Sequence, residues 1–542
     1  MRGLMQDWPM LVHHFIDHAA RNHKGAEIVS RTVEGGMHRG GYGPIRARAK
    51  ALARALKKKG IRPGDRIATL AWNTHRHLEC WYGIAGMGAV YHTLNPRLHP
   101  DQVAWIANHG GARALFYDNC FAPIVEAIAP KLKHVEFFVA LGEEAAPIKT
   151  RKKVLAYEKF ITGKDDFTWA ALDENSACGL CYTSGTTGDP KGVLYSHRSN
   201  VLTALIAGQS SSLHMGPKDR MMPVVPMFHA NGWAIPFLAP MTGASLVLPG
   251  AKLDGASLYE LLETERVTIT AAVPTVWLGL LQYMDQNGLK LSHLKRVCIG
   301  GAAVPRAMIE RFEDDYGVEV THAWGMTEMS PIGARSSIKP PLDELPREQQ
   351  LDFKVKQGFP HFGIDMKITD DRGRERPHDG KSFGRLKVKG PNVARAYFKG
   401  AGKDAFGKDG WFDTGDVATI DSEGFMQITD RSKDVIKSGG EWISTIQIEN
   451  LAMGHPAVAE AAVIAIPHER WVERPMACVV VKSGQSVTAE EIIEHLKPRV
   501  AKWWLPDAVE FIDEVPKTSV GKFSKKTLRE KFAGYKFDNS EG

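Results

Sequence analysis

Hydrophobic residues alternate between two spacings along the first 330 residues, and this alternation limits the fold more than any other feature of the sequence. Residues 45–61 repeat alanine and leucine at helical spacing, and the short apolar run 65–72 follows directly. Further short apolar runs recur at 111–119, 243–250 and 294–305. Strands that alternate with helices form mostly parallel sheets. The sequence therefore predicts a large α/β region built on mostly parallel sheets.

The hydrophobic pattern changes after residue 336. Residues 336–357 are polar and proline-rich, and we expect them to form an excursion at the surface. Short strand patterns then dominate and end in a hairpin at 416–430, so we expect a small β-barrel-like part. After residue 430, a helical segment, two strand-like runs and a helix that begins with the capping-box spacing of Thr488 and Glu491 predict a smaller α+β unit.

Composition argues against several classes of protein. The chain has 542 residues, which is too long for one hydrophobic core. Its net charge of +7 is spread without a long basic block, so we expect no nucleic-acid partner. No apolar run reaches the roughly 18 residues that span a bilayer, and the N-terminus is not typical of a signal peptide, so we expect no stable membrane insertion. Six scattered cysteines are typical of the reducing cytoplasm, where we expect the protein.

One segment, YTSGTTGDPKGV at 182–193, combines hydroxyl residues, glycines and a lysine between apolar flanks. Glycines let backbone N–H groups approach a polyphosphate closely, and a lysine adds positive charge. The segment is not a Walker loop, because Pro190 stands where that motif has glycine. Taken alone, it is equally typical of an ordinary turn between a buried strand at 176–181 and a following helix.

Five further segments follow one another along the chain: VVPMFHANGW, HAWGMTE, WFDTGD, DRSKDVIKSGGEWIS and VPKTSVGKFSKKTLRE. With these motifs in this order, the sequence resembles the adenylate-forming enzymes from about residue 10 to 535. This superfamily includes acyl-CoA synthetases, luciferases and the adenylation domains of peptide synthetases. Within it, the sequence is most similar to bacterial fatty acyl-CoA synthetases and 3-methylmercaptopropionyl-CoA ligases.

The resemblance implies the co-substrates ATP and coenzyme A, the cofactor Mg²⁺, and a reaction in two steps. A carboxylic acid attacks the α-phosphate of ATP to form an acyl-adenylate and pyrophosphate, and the thiol of coenzyme A then displaces AMP. We expect short- to medium-chain acids, with 3-methylmercaptopropionate as the specific candidate. The resemblance also implies a homodimer.

The resemblance assigns catalytic roles to three residues. Lys522 would bridge the acid carboxylate and the α-phosphate, two anions that repel each other. His229 would wall the path of the acyl group and the thiol. Glu328 would bind Mg²⁺ together with the hydroxyl of Thr183. Without the motifs, Lys522 is more typical of a solvated loop and His229 of a protein core.

Other residues would bind the nucleotide or coenzyme A. Asp416 would accept both ribose hydroxyls, and Arg431 would support the ribose and phosphates. Trp324 would stack on adenine beside the loop 300–304, and Trp233 would gate the acyl tunnel. The full set that the resemblance implies is Thr183, Ser184, Gly185, Thr186, Thr187, Gly188, Lys191, Trp233, Gly301, Ala302, Ala303, His322, Ala323, Trp324, Gly325, Met326, Thr327, Asp416, Ile428, Arg431, Lys433, Lys437 and Trp442.

The resemblance also implies a division into domains. An N-terminal domain at 1–430 would bind ATP and the acid, and a hinge at 431–433 would join it to a mobile C-terminal domain at 434–542. Two positions depart from the family pattern: tryptophan replaces a common tyrosine at 324, and Arg385 replaces a usual glutamate, which puts local ion pairs in doubt.

Other functions remain open at this point. The alternatives are a long-chain fatty acyl-CoA synthetase, an adenylating enzyme that loads a carrier protein, an oxygenase of the luciferase kind, and a degenerate member that only binds ligand. The last is disfavoured because the charged motif residues are all present.

Overall fold

The computed structural model describes residues 1, 3–163, 166–183, 189–431, 434–438, 441–518 and 521–537, with the side chains of 437, 441 and 442 left out. The strands are β1 (Glu27–Arg31), β2 (Met37–Gly41), β3 (Arg66–Leu70), β4 (Val90–Thr93), β5 (Ala112–Tyr117), β6 (Phe137–Ala140), β7 (Lys153–Ala156), β8 (Ala177–Tyr182), β9 (Gly192–Ser196), β10 (Arg220–Pro223), β11 (Ser245–Leu248), β12 (Ile269–Ala272), β13 (Arg296–Gly300), β14 (Glu319–Gly325), β15 (Ile332–Ser336), β16 (Phe359–Pro360), β17 (Asp365–Thr369), β18 (Gly384–Lys389), β19 (Phe412–Ile420), β20 (Met426–Arg431), β21 (Ile436–Ser438), β22 (Glu441–Ile443), β23 (Val458–His468), β24 (Val472–Val481) and β25 (Ala508–Phe511).

The α-helices are α1 (His13–Asn22), α2 (Tyr42–Lys58), α3 (His75–Gly86), α4 (Pro100–Gly110), α5 (Ala122–Ile128), α6 (Tyr157–Phe160), α7 (His197–Ala207), α8 (Ile235–Thr242), α9 (Gly255–Thr264), α10 (Pro274–Asn287), α11 (Arg306–Glu310), α12 (Arg347–Lys354), α13 (Thr445–Ala452), α14 (Ala489–Leu496) and α15 (Lys525–Lys531). Within the ranges given above, none of the helices is both long and apolar enough to cross a membrane.

Two large sheets carry the first 360 residues. Among the described residues, one has the order β16-β15-β14-β13-β12-β10-β11-β1-β2, and the other has the order β7-β6-β5-β3-β4-β8-β9. Neighbouring strands are parallel in the middle of both sheets, and antiparallel pairs occur towards the edges, as between β14 and β15. Crossover helices pack against each other and the strands, as α2 does on α3. The predicted α/β architecture is confirmed.

One local prediction is wrong and another is incomplete. The segment after the glycine-rich loop forms strand β9 before helix α7 begins, because residues 192–196 pair with the edge of β8 and satisfy its backbone groups. The proline-rich segment 336–357 is not a plain excursion, since it contains helix α12. That helix buries Leu351 in the core of the nine-stranded sheet.

The part expected to resemble a β-barrel is a four-stranded antiparallel sheet, β17-β18-β19-β20. Its predicted hairpin turns where expected: the N–H of Gly424 donates to the carbonyl of Asp421 at 2.9 Å. The carboxylate of Asp421 also accepts from the backbone of Glu423 and Phe425, which holds the turn.

The C-terminal unit is a separate α+β sheet with its own core. Strands β22, β21, β24 and β23 follow one another, and β25 adds to β24. Helix α14 begins with the predicted capping box, in which Thr488 and Glu491 bond each other's backbone N–H. The unit contacts the nine-stranded sheet through its last loop, where the hydroxyl of Thr275 donates to the carbonyl of Gly521 at 3.2 Å.

Candidate active site

A cavity of about 570 Å³ lies at the carboxyl ends of β13 and β14, bounded by the four-stranded sheet and the C-terminal unit. Open α/β sheets bind ligands at this edge, where the strand ends expose loops and backbone groups. Sequence-predicted residues that line it are Thr183, Lys191, His229, Trp233, Gly301, Ala323, Trp324, Gly325, Met326, Thr327, Glu328, Arg431 and Lys522.

Lys522 enters the cavity from the C-terminal unit. A Cβ atom at Gly301 would lie 3.5 Å from its Cε, an ordinary van der Waals distance, so the lysine side chain passes directly beside this glycine. Burial and, to a smaller degree, Arg431 lower the pKa of Lys522 to about 8, against the opposite effect of Asp416. The ammonium group is therefore poised to bind an anion that would restore its ordinary pKa.

Asp416 and Arg431 face each other across the hairpin of β19 and β20. The Nε of Arg431 lies 3.0 Å from Oδ1 of Asp416. The second oxygen, Oδ2, is buried without a hydrogen-bond partner among the described residues, and burial raises the pKa of this carboxyl group. Such an oxygen is a ready acceptor for ligand hydroxyls.

Glu328, Tyr397 and Lys191 form a second polar group on the cavity wall. The hydroxyl of Tyr397 donates to Oε1 of Glu328 at 2.5 Å, and burial raises the pKa of Glu328. The ammonium of Lys191 lies 5.1 Å from the centre of the Tyr397 ring. The N–H of Thr183 donates to the carbonyl of Lys191 at 2.9 Å, which closes the base of the glycine-rich loop. A carboxylate and a hydroxyl at the base of this loop are hard oxygen donors of the kind that Mg²⁺ prefers.

His229 and Trp233 are held by an unusual turn. Residues 230–234 all have positive φ, between 43° and 60°. Asn231 fixes the turn, because its side chain accepts from Tyr91 at 2.8 Å and donates to Asn200 at 2.7 Å. Backbone strain of this kind persists only where surrounding contacts enforce it, and it is common at functional sites.

The turn at 230–234 positions His229 and Trp233 on the apolar side of the cavity. Burial lowers the pKa of His229 to about 3, with Lys522 adding to the effect, so the imidazole is neutral at pH 7. A Cβ atom at Gly300 would lie 3.2 Å from Cη2 of Trp233, so the indole packs directly on the end of β13. The indole and the strand therefore narrow the cavity between them.

Several predicted site residues lie away from the cavity or outside the described structure. Ser184, Gly185, Thr186, Thr187, Gly188 and Lys433 are outside the described residues. The main chain of Lys437 and Trp442 lies in the small sheet, as a cross-strand pair. Ala302, Ala303, His322, Asp416 and Ile428 are not among the residues that line the cavity, although Asp416 pairs with Arg431, which does line it. Successive side chains of a strand lie on opposite faces of the sheet. The side chain of His322 therefore lies on the face of β14 away from that of Ala323, which explains why it does not line the cavity.

The sequence analysis missed other cavity residues. Tyr397 lies far from any motif and is recognisable only by its contact with Glu328. Arg335, Cys298, Thr321 and His361 line the end of the cavity that lies along β13–β15, and their sequence context carries no signal.

Arg385, where the family usually has glutamate, forms ion pairs of its own. Its guanidinium pairs with Asp371 at 2.9 Å and lies 3.7 Å from Asp413, a cavity residue. An arginine at this position therefore keeps local ion pairs.

The cavity joins Lys191, Lys522, Arg431 and the buried carboxylate of Glu328 from distant parts of the chain, and Arg431 pairs with the buried carboxylate of Asp416. Cations of this kind stabilise the negative charge that develops at a phosphorus atom under attack by a carboxylate. The fold and this cavity define an enzyme that activates a carboxylic acid with a nucleotide.

Comparison with known proteins agrees. The family model described as AMP-binding enzyme matches residues 16–398, and the model of the AMP-binding enzyme C-terminal domain matches residues 447–522. The chain belongs to this family of AMP-binding enzymes.

Its relatives include a 3-methylmercaptopropionyl-CoA ligase of Ruegeria lacuscaerulensis, 47% identical over 98% of this chain and 99% of the relative. A long-chain-fatty-acid–CoA ligase of Thermus thermophilus is 46% identical over 98% of this chain and 97% of the relative. Among solved structures, an anthranilate CoA ligase in complex with anthranoyl-AMP matches with a TM-score of 0.86 and 25% identity, over 97% of this chain and 99% of the other. The protein is therefore an AMP-forming acid–CoA ligase that uses ATP and coenzyme A.

Proposed function

We propose that Lys522, His229 and Glu328 carry the adenylation of the acid. Lys522 neutralises the carboxylate and the α-phosphate as they approach, and neutral His229 walls the reacting centre without adding charge. The single observation that supports this is the desolvated ammonium of Lys522 beside Arg431 and Asp416, with Glu328 near enough to influence its pKa.

The remaining cavity residues bind the nucleotide in this proposal. The unpartnered Oδ2 of Asp416 accepts the ribose hydroxyls, Arg431 supports the ribose and phosphates, and Trp324 offers its ring to adenine. Lys191 and the loop 183–188 hold the β- and γ-phosphates.

We infer short- to medium-chain acids as substrates, with 3-methylmercaptopropionate as the first candidate. The relatives named for that acid support it, at 46% and 47% identity. The indole of Trp233 on Gly300 narrows the acyl path and disfavours a long, flexible chain. A panel of acids from acetate to palmitate, measured by AMP release, tests this: a strong preference for palmitate would contradict it.

Mg²⁺ fits the donors present. Glu328 supplies one buried carboxylate and Thr183 one hydroxyl, and Mg²⁺ commonly takes few protein ligands because phosphates and water supply the rest. When bound, the ion would neutralise charge on the departing pyrophosphate. Glu328→Gln keeps the shape and removes the charge. We expect calorimetry to show that Mg²⁺ strengthens ATP binding to the wild type but much less to this variant. Equal strengthening in both proteins would remove Glu328 from the metal site.

The second step needs the lysine to leave. Coenzyme A must reach the acyl group that Lys522 contacts, so we propose that the unit at 434–542 rotates about 431–433 relative to 1–430. Lys437 and Trp442 then lie near the pantetheine arm. We also propose a homodimer, which sedimentation of the purified protein tests, and a cytoplasmic location, which fractionation of the source cells tests.

The two half-reactions can be measured separately. Lys522→Ala should abolish acid-dependent exchange of pyrophosphate into ATP, yet still convert added acyl-adenylate and coenzyme A to the thioester. Lys517→Ala is the matched control, since Lys517 lies in the same loop but pairs with Glu460 at 2.7 Å. Normal exchange in Lys522→Ala would refute the proposed role. Thioester formed on a carrier protein, but not on coenzyme A, would favour a carrier-loading enzyme.

A further inference from the structure

The cavity reaches a buried arginine that the proposed chemistry does not use. Arg335 is 6% exposed and lines the cavity. Its buried Nε has no hydrogen-bond partner, and its guanidinium forms no ion pair, within the described part of the chain. A buried charge without a partner is costly, and proteins retain one chiefly where a ligand or a neighbouring charge compensates it.

The strand register fixes the face on which Arg335 lies. Arg335 pairs with Ala323 across β15 and β14, and Ala323 pairs with Gly300 across β14 and β13. Opposite residues share a face of the sheet, and so do residues two apart on one strand. Arg335 therefore lies on the same face as Thr321 and Cys298, which also line the cavity.

Arg335 lines the cavity together with Cys298 and Thr321, and it also lines a small pocket that includes neither Lys522 nor Gly301. Lys522 packs near Gly301, and Cys298 precedes this glycine by three residues, or roughly 10 Å at about 3.3 Å per residue. Arg335, Cys298 and Thr321 also line an adjoining small pocket of about 30 Å³. An acid whose carboxylate contacts Lys522 therefore extends its other end towards Arg335.

The charged groups near Arg335 compensate its buried positive charge only weakly. Glu319, the acidic group that acts on it, makes no ion pair with it, and burial lowers the pKa of Arg335. Burial also lowers the pKa of His361 to about 4, so this imidazole is neutral. Arg296, the other cation of the small pocket, is already paired with Asp219 at 2.7 Å.

We propose that Arg335 selects acids that carry an oxygen acceptor at the end remote from the reacting carboxylate. A hydroxyl or a second carboxylate would accept from the guanidinium, and the small pocket has room for a group of one or two heavy atoms. A plain alkyl end would leave the buried charge unpaired, and sites built to bond a substrate oxygen reject analogues that lack it. A thioether sulfur is a weak acceptor, so 3-methylmercaptopropionate gains little from this contact. The proposal rests on the acid–CoA ligase activity and the proposed site, and it ranks acids with a remote oxygen above 3-methylmercaptopropionate.

The test compares acids of equal length. Wild-type protein is assayed with octanoate, ω-hydroxyoctanoate and octanedioate, with ATP and coenzyme A, and kcat/KM is taken from AMP release. We expect at least one oxygenated acid to exceed octanoate by about tenfold or more, as for a hydrogen bond to a charged group. A preference for octanedioate identifies an anionic partner, and a preference for ω-hydroxyoctanoate identifies a neutral one. Activity with octanoate alone leaves the ligase function intact and overturns only this inference.

Substitutions of Arg335 distinguish a role in substrate selection from a role in supporting the fold. Arg335→Met keeps the length and removes the donors, so we expect the preference to invert in favour of octanoate. Arg335→Lys, which keeps a positive charge, should retain part of the original preference. Arg385→Met is a control on the four-stranded sheet. An equal fall with all three acids in Arg335→Met would overturn the proposal. If that variant does not fold, the wild-type comparison still decides.

Discussion

At the scale of single residues, the surroundings of Lys522 change its pKa enough to predict a pH dependence. Burial and Arg431 lower the pKa of its ammonium group to about 8. The charge that we propose to neutralise the two anions is therefore present below about pH 8 and is lost as the pH rises through that value. Bound ATP and acid are themselves anions, so they move the loss to higher pH in the complex.

We expect kcat/KM for adenylate formation to fall above about pH 8, with the fall in kcat displaced to higher pH. Pyrophosphate exchange measured from pH 6 to 10 tests this. Lys522→Arg retains its charge throughout this range, so its slower reaction should show no such fall. The same alkaline fall in that variant would assign it to another group.

At the scale of elements, the turn at 230–234 links the core to the acyl path. Its consecutive left-handed residues depend on Asn231, which bonds Tyr91 and Asn200 between β4 and α7. Tyr91 in turn stacks on Trp81 with ring centroids 4.4 Å apart, in the middle of the main core. The position of Trp233 therefore depends on packing well below the cavity.

Asn231→Ala should lower the free energy of unfolding by about 2–4 kcal/mol, because it leaves two buried partners unsatisfied and places a Cβ residue at φ +56° without the local bonds of asparagine. Urea denaturation measures the change. We also expect a higher KM for the acid, since Trp233 is no longer held on Gly300. Asn231→Gly is the control, because it removes the hydrogen bonds and keeps the backbone freedom. Identical losses in both variants would mean that the strain contributes nothing.

At the scale of the whole molecule, the C-terminal unit contacts the rest of the chain at the cavity and at the end of β20, where Thr445 donates to the carboxylate of Asp430. The hydroxyl of Thr275 bonds the carbonyl of Gly521, and Lys522 lies beside Gly301. The proposed rotation would break the contacts of Thr275 and Lys522, whereas the contacts of Asp430 lie beside the proposed hinge at 431–433.

Lys433→Pro tests that rotation, although residue 433 is outside the described residues. Proline fixes φ near −65° and restricts the preceding residue, so we expect adenylate formation to continue and thioester formation to fail. Lys433→Ala is the control, since it removes the charge and keeps the backbone freedom. Loss of both half-reactions to the same degree in Lys433→Pro would count against a swinging unit.

The sequence could predict whatever depends on local spacing. Alternating periods indicated the α/β sheets, and Thr488 with Glu491 indicated a helix start that is present. The ordered motifs led to Lys522, Glu328 and the Asp416 hairpin, because the reacting groups need those side chains at set points along the chain. These elements are encoded within a few residues, so neighbouring residues suffice to reveal them.

Only the tertiary structure decided which side chains meet. Tyr397 reaches Glu328 across 69 residues of sequence, and Asn231 reaches Asn200 across 31. Arg335 lies just before the polar stretch 336–357, yet it is buried on β15 against the cavity, on the face that the register of β13–β15 gives it. A one-residue shift would turn that side chain to the opposite face, and register follows from packing across strands that are distant in sequence. The sequence could therefore predict the charged side chains of the site. Their neighbours, which we propose to select the substrate, come together only in the folded chain.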